Sequence, residues 1–148
     1  MPIINNLPNS LRWTALQTLL AALRAAPTLA GVRVVHNPRG PTSLGQSAHT
    51  VFLKDQTDTL TDKSGQMEKR SHQFLLGAVA RTDAADREAD ALHEAAADVL
   101  RSALKTVLQG RVVNLSETAT QFEAASLEID GALCLSTWEL QYRKPGPQ

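Results

Sequence analysis

A single uninterrupted amphipathic segment constrains this chain most. From Thr82 or Asp83, either of which can cap a helix through its short side-chain oxygen, the pattern runs to about Gln109. Ala85, Ala89, Leu92, Ala96, Val99, Leu100, Ala103 and Val107 fall on one side, and Asp86, Asp90, Glu94 and Asp98 follow at four-residue steps on the other. Arg101 and Lys105 continue the polar side, so acids precede bases as the helix dipole favours. Gly110 stands where a helix commonly ends in a left-handed residue. A helix of this length, roughly 40 Å at ~1.5 Å per residue, needs a broad apolar partner. Phe74–Arg81 immediately before it, nearly continuous in apolar residues through Phe74, Leu75, Leu76, Ala78 and Val79, reads as a strand buried on both faces.

The remaining elements are consistent with that partner. Leu16, Leu19, Leu20 and Leu23, with Trp13 one turn earlier, form the apolar stripe of an N-terminal helix from about Ser10 to Ala26, stopped by Pro27. Val32, Val34 and Val35 read as a short strand ending at His36-Asn37-Pro38-Arg39-Gly40-Pro41. Thr50–Lys54 reads as another. In the last third, Val112 and Val113 could begin a strand. Phe122–Ile129 and Ala132–Tyr142 flank Asp130-Gly131, whose residues tolerate the positive φ of a two-residue hairpin turn. That turn would pair Ile129 with Ala132, Leu127 with Cys134, Ala125 with Ser136 and Glu123 with Trp138. The expected fold is α+β, a mainly antiparallel sheet with an N-terminal helix and one long helix packed on one face, in a single domain spanning residues 1–148.

Two segments are expected to be irregular. Residues 54–72 are polar, with Leu60 and Met67 as the only sizeable apolar anchors, and read as a long loop. Ordering such a loop costs about 1–2 kcal/mol per residue, which a neighbouring subunit could offset. Its candidate contact residues are Lys54, Asp55, Asp58, Asp62, Lys63, Met67, Lys69 and Arg70. Residues 143–148, with two prolines and a glycine, read as a flexible tail.

Chemistry is sparsely signalled. The 15 basic residues balance 15 acidic ones, unlike a general nucleic-acid binder, and the six aromatics are not interleaved with bases. His36, His49, His72 and His93 lie too far apart in sequence for a local metal spacing, and read as surface or hydrogen-bonded residues. Asp55, Asp58 and Asp62 lack the spacing, central glycine and terminal glutamate of a calcium loop. No serine sits in a nucleophile elbow, no phosphate-binding glycine loop occurs, and the lone Cys134 reads as a small core residue. The acidic helix stripe is a solvated face or one that meets a basic partner. No cofactor is expected, and the chain is not expected to be an enzyme. One cysteine allows no internal disulfide, and no run approaches the ~18 apolar residues of a membrane span, so folding in the cytosol is expected, without a membrane partner.

Four local features together resemble the tail-terminator and tail-completion (head–tail joining) family of tailed phages. They are helix Leu11–Ala26 leading into Gly31-Val32-Arg33-Val34-Val35; strand His72–Arg81 dropping directly into helix Asp83–Leu108; the long segment 54–72 before that strand; and the closing hairpin ending Trp138-Glu139-Leu140-Gln141-Tyr142-Arg143. The resemblance implies a virion protein, commonly a hexameric ring, that terminates the tail tube and joins it to the head connector. Its partners would be copies of itself, the tail tube protein and the head–tail connector protein, with DNA only as passing cargo. Segment 54–72 would contact the tube or line the ring. A neck-ring connector subunit, or a bacterial interaction domain outside any virion, would carry similar features.

Overall fold

The computed structural model describes residues 7–39, 47–103, 112–123 and 131–146. Helix α1 spans Leu11–Ala25, and a 3-10 turn at Pro27–Leu29 leads to strand β1, Arg33–His36. Strands β2 (His49–Ser64) and β3 (Met67–Ala80) follow, then helix α2 (Ala85–Ala103) and strands β4 (Val112–Glu123) and β5 (Ala132–Pro145). The five strands form one sheet in the order β1-β2-β3-β5-β4. The β1–β2 pair is parallel and the other three are antiparallel, so the fold is α+β with a mostly antiparallel sheet.

Both helices pack on one face of the sheet. Ser10 Oγ accepts from Trp13 N at 3.1 Å and starts α1, which buries Ala15, Leu16, Leu19, Leu20 and Leu23. Alternation along the strands turns Val51, Leu53, Phe74, Leu76, Ala78, Trp138, Leu140 and Tyr142 toward the same core. Phe74 and Trp138, register partners on β3 and β5, stack with ring centroids 6.4 Å apart. On the opposite face Phe52, Val79 and Leu133 form a smaller cluster. Gly77 is required there: a Cβ at this position would lie 2.1 Å from Phe52 Cζ, because the phenyl ring of its cross-strand partner lies over it.

Helix α2 returns over the sheet from the end where β3 finishes. Ala85 and Ala89 in its first turns pack with Ala80, Ala132 and Cys134, while Arg101 in its last turn lies 5.6 Å from the centroid of the Trp138 ring. The expected continuation to Gln109 and the Gly110 terminus fall outside the described residues.

Three expectations are corrected. Residues 54–72 are not a loop: they are the outer halves of β2 and β3, joined by Gly65-Gln66, with Gly65 at φ 60°. Their polarity misleads because the helices do not cover this end of the sheet, so its side chains need not be apolar. Backbone pairing on both sides of β3 orders the ribbon without a neighbouring subunit. The alternating Thr57, Thr59 and Thr61 were a β-branched strand signal in that stretch.

Second, residues 143–145 are not part of a flexible tail, since Arg143, Lys144 and Pro145 pair with Lys69, Glu68 and Met67; residues 147–148 lie outside the described residues. Pro145 is tolerated because it closes the strand. Third, the closing hairpin is offset by five residues from a two-residue turn at Asp130-Gly131. Glu123 faces Leu133 rather than Trp138, and Trp138 faces Glu117. Core packing outweighs the local turn preference: this register sets Leu115 beside Leu140, and both are buried. The pairs proposed for Ala125, Leu127 and Ile129 lie outside the described residues.

Candidate functional site

Beyond the reach of α2, the helix-side face of the sheet changes from apolar to ionic. The strand that carries Leu76 and Phe74 continues with His72, Arg70 and Glu68; beside it lie Asp55 and Asp58 on β2 and Tyr142 and Lys144 on β5. The first turn of α1 contributes Arg12, and the end of β1 contributes His36 and Asn37.

Asp55 is gripped by β1. Asn37, at φ 52°, donates from its backbone N–H to Leu53 O and from Nδ2 to Asp55 Oδ2, both at 2.8 Å, and accepts from Asp55 N at 2.8 Å. His36 Nε2 lies 3.2 Å from Asp55 Oδ2, and His72 Nε2 lies 2.8 Å from Asp55 Oδ1. Burial alone would raise this carboxyl. Hydrogen bonds from His72 and Asn37, with the charges of His72 and His36, outweigh it and hold Asp55 at about 2.

Asp58 takes the neighbouring load. Arg70 Nε donates to Oδ1 at 2.5 Å, the Tyr142 hydroxyl donates to Oδ2 at 2.7 Å, and Arg12 Nη1 stands 3.8 Å away. The second ring nitrogen of His72 is 3.2 Å from Asp58 Oδ2. Burial pushes Asp58 up, but the bonds from Arg70 and Tyr142 prevail and lower it. Burial, reinforced by the bond to Asp58, pushes the Tyr142 phenol up to about 12. Glu68 completes the chain, 3.0 Å from Arg70 Nη1 and 4.0 Å from Lys144 Nζ.

The eight candidate contact residues therefore divide. Asp55, Asp58 and Arg70 are drawn inward as bracing. Asp62, Lys63, Met67 and Lys69 gather at the ribbon end, where Asp62, Met67 and Lys69 line a shallow hollow with Ser64, Glu68 and Arg143. Lys54 is exposed farther back on β2. His36, His72, Arg12, Asn37, Glu68 and Tyr142 escaped sequence reading because they converge from segments up to 130 residues apart (Arg12 to Tyr142). Only the strict alternation Glu68-Arg70-His72-Phe74-Leu76 foreshadowed a shared face.

A second polar group lies inside the core. His93 Nε2 and Trp138 Nε1 each lie 2.7 Å from Ser136 Oγ, where the indole N–H donates. Ser136 is 1% exposed, so this Ser–His pair is closed to a substrate. Burial lowers His93 against the opposing pull of Glu117, Glu94 and Asp90. Burial likewise pushes the Cys134 thiol up to about 11, away from thiolate chemistry. Among the described residues no group of three or more His, Cys, Asp or Glu side chains is arranged to hold a metal ion, and no helix is long and apolar enough to cross a membrane.

Fold and site together define a single-sheet α+β protein, braced by an internal ionic network and extended by a β-ribbon that the helices leave uncovered. No family model matches the chain, and none of the curated proteins compared with it matches. Among solved structures it is similar to a chain in the virion of a native gene transfer agent particle. The two share 16% sequence identity with a TM-score of 0.54, over 94% of this chain and 100% of that one. The likeness is one of fold.

Proposed function

We propose that this chain is a structural protein of a phage-like virion, a subunit that assembles into a ring terminating the tail tube and joining it to the head connector. The observation that carries the reading is the likeness of fold to a virion chain over 94% of this chain and 100% of that one. The braced ribbon agrees with it. A ring subunit needs a rigid projection to reach a neighbour or the tube, and the Asp55–Asp58 network stiffens the base of this one. The role rests on binding and geometry, without a chemical step, and the virion is the place where it acts. Its partners are further copies of the chain, the tail tube protein and the connector, with DNA passing through.

Native mass by light scattering, with and without tail tubes, tests the reading. A ring mass, or a monomer that forms rings only on tubes, is expected; a monomer or dimer indifferent to tubes overturns it. The informative variant replaces residues 61–69 with Asn-Gly, closing Leu60 onto Arg70 while keeping Asp55, Asp58 and Tyr142. It should keep its circular dichroism spectrum and lose tube capping. Deleting residues 56–70 would remove Asp58 and Arg70 as well, and so confuse capping with folding.

A further inference from the structure

The chain is neutral overall, yet its charge is sorted to opposite ends of the sheet. At the end where β3 passes into α2, residues 81–90 carry four carboxylates against Arg81 and Arg87, and Glu94 and Asp98 follow farther along the helix. Glu88 is taken up by Thr82 and His49, and Glu94 and Asp98 lie near Arg101. Asp83, Asp86 and Asp90 are exposed and make no ion pair among the described residues. The helix dipole accounts for an acid in the first turn, but Asp90 lies beyond it.

At the other end the ribbon carries Lys63, Lys69, Arg70, Arg143 and Lys144 against Asp62 and Glu68. Arg70 and Lys144 are held by the network, and Asp62 caps the Lys63 backbone N–H at 2.8 Å. Lys63, Lys69 and Arg143 make no ion pair among the described residues, and the last two line the hollow at the ribbon end. Lys69 stands in register between Asp62 on β2 and Arg143 on β5, so one carboxylate faces two cations there and the ribbon end keeps a surplus of positive charge.

The two poles cannot meet within one molecule. Met67 and Ala80 lie thirteen residue steps apart along β3, about 43 Å at ~3.3 Å per step. We propose that the cationic ribbon end, Lys63, Lys69 and Arg143, docks on the Asp83–Asp90 face of α2 in a second copy of this chain. Because the complementary surfaces are different patches at opposite ends, the contact is head to tail and repeats from copy to copy until the rotation closes it. This inference deepens the ring reading and rests on it.

Sedimentation velocity of the full chain across 50–500 mM NaCl tests it, with folding followed by circular dichroism. Two variants reverse one pole each: Lys63→Glu/Lys69→Glu/Arg143→Glu and Asp86→Lys/Asp90→Lys. Association of the unmodified chain should weaken about tenfold or more across that salt range, since screening shortens to a few ångströms. Each variant alone should stay monomeric, and an equimolar mixture of the two should associate again. Rings that survive both reversals would overturn the docking while leaving the ring reading intact. Loss of association in the ribbon variant while the Asp86→Lys/Asp90→Lys variant still associates would overturn it too, and assign the ribbon to a different surface. An unmodified chain that is monomeric at every salt concentration also sinks self-docking, and tube capping then decides the ring reading separately.

Discussion

Tyr142 and Asp58 are joined by a 2.7 Å hydrogen bond although β3 lies between their strands. The phenol reaches across Arg70, its register partner, to the carboxylate that Arg70 also binds. One carboxylate thus ties three strands at the root of the ribbon, and Arg12 brings the first turn of α1 to the same point.

Tyr142→Phe removes that bond and keeps the ring packing. A hydrogen bond to a charged acceptor is worth about 1.5–3 kcal/mol, so urea denaturation should show a loss in this range. Asp58→Ala should cost more, because it leaves the Tyr142 hydroxyl without its acceptor and removes a partner from Arg70 and Arg12 at the same time. Equal stability of the Phe variant and the parent would mean that the bond does not brace the fold.

Acid should weaken the protein in two stages. His93 is lowered in the folded state, so the unfolded chain takes up its proton more readily and stability falls as pH drops below the ordinary histidine range. Asp55 is lowered from 3.8 to about 2, so its contribution is present above the unfolded value and disappears between those two values. Asp58 shifts in the same direction. Asp55→Asn should flatten the lower part of a melting-temperature profile against pH while leaving the His93 limb unchanged.

Ser136→Ala leaves the buried Trp138 and His93 nitrogens without their shared partner. The expected loss is about 1–3 kcal/mol per unsatisfied group, read by chemical denaturation with Trp138 contributing to the fluorescence signal. A neutral outcome would require another partner for the indole N–H.

Gly77→Ala drives a methyl group into the Phe52 ring. The ring must swing away and uncover Val79, and about 1–3 kcal/mol should be lost, as for other overpacked sites. The paired variant Gly77→Ala/Phe52→Ala should show coupling between the two positions in a double-mutant cycle.

Sequence reading located the elements that bury apolar area. Leu16, Leu19, Leu20 and Leu23 in α1, the alanine-rich stripe of α2 and the apolar run of β3 each declare a periodicity that only one secondary structure can hide from water. It failed where a strand has no apolar face to hide. The outer ribbon reads as a loop because strand propensity is judged by half-burial, and here the sheet runs past its helices. The hairpin register failed differently: Asp130-Gly131 favours a tight turn locally, but Leu115 against Leu140 is a tertiary preference that no local window contains.

Periodicity, capping and the near-continuous apolar strand determined by themselves that this chain is an α+β fold with one sheet and helices on one side. Tertiary structure alone decided that Asp55, Asp58, His36, His72 and Tyr142 meet, and that opposite charges collect at opposite ends. Local patterns report the environment one residue needs. The pairing order β1-β2-β3-β5-β4 and the twofold use of β3 as a central strand set which distant residues share it.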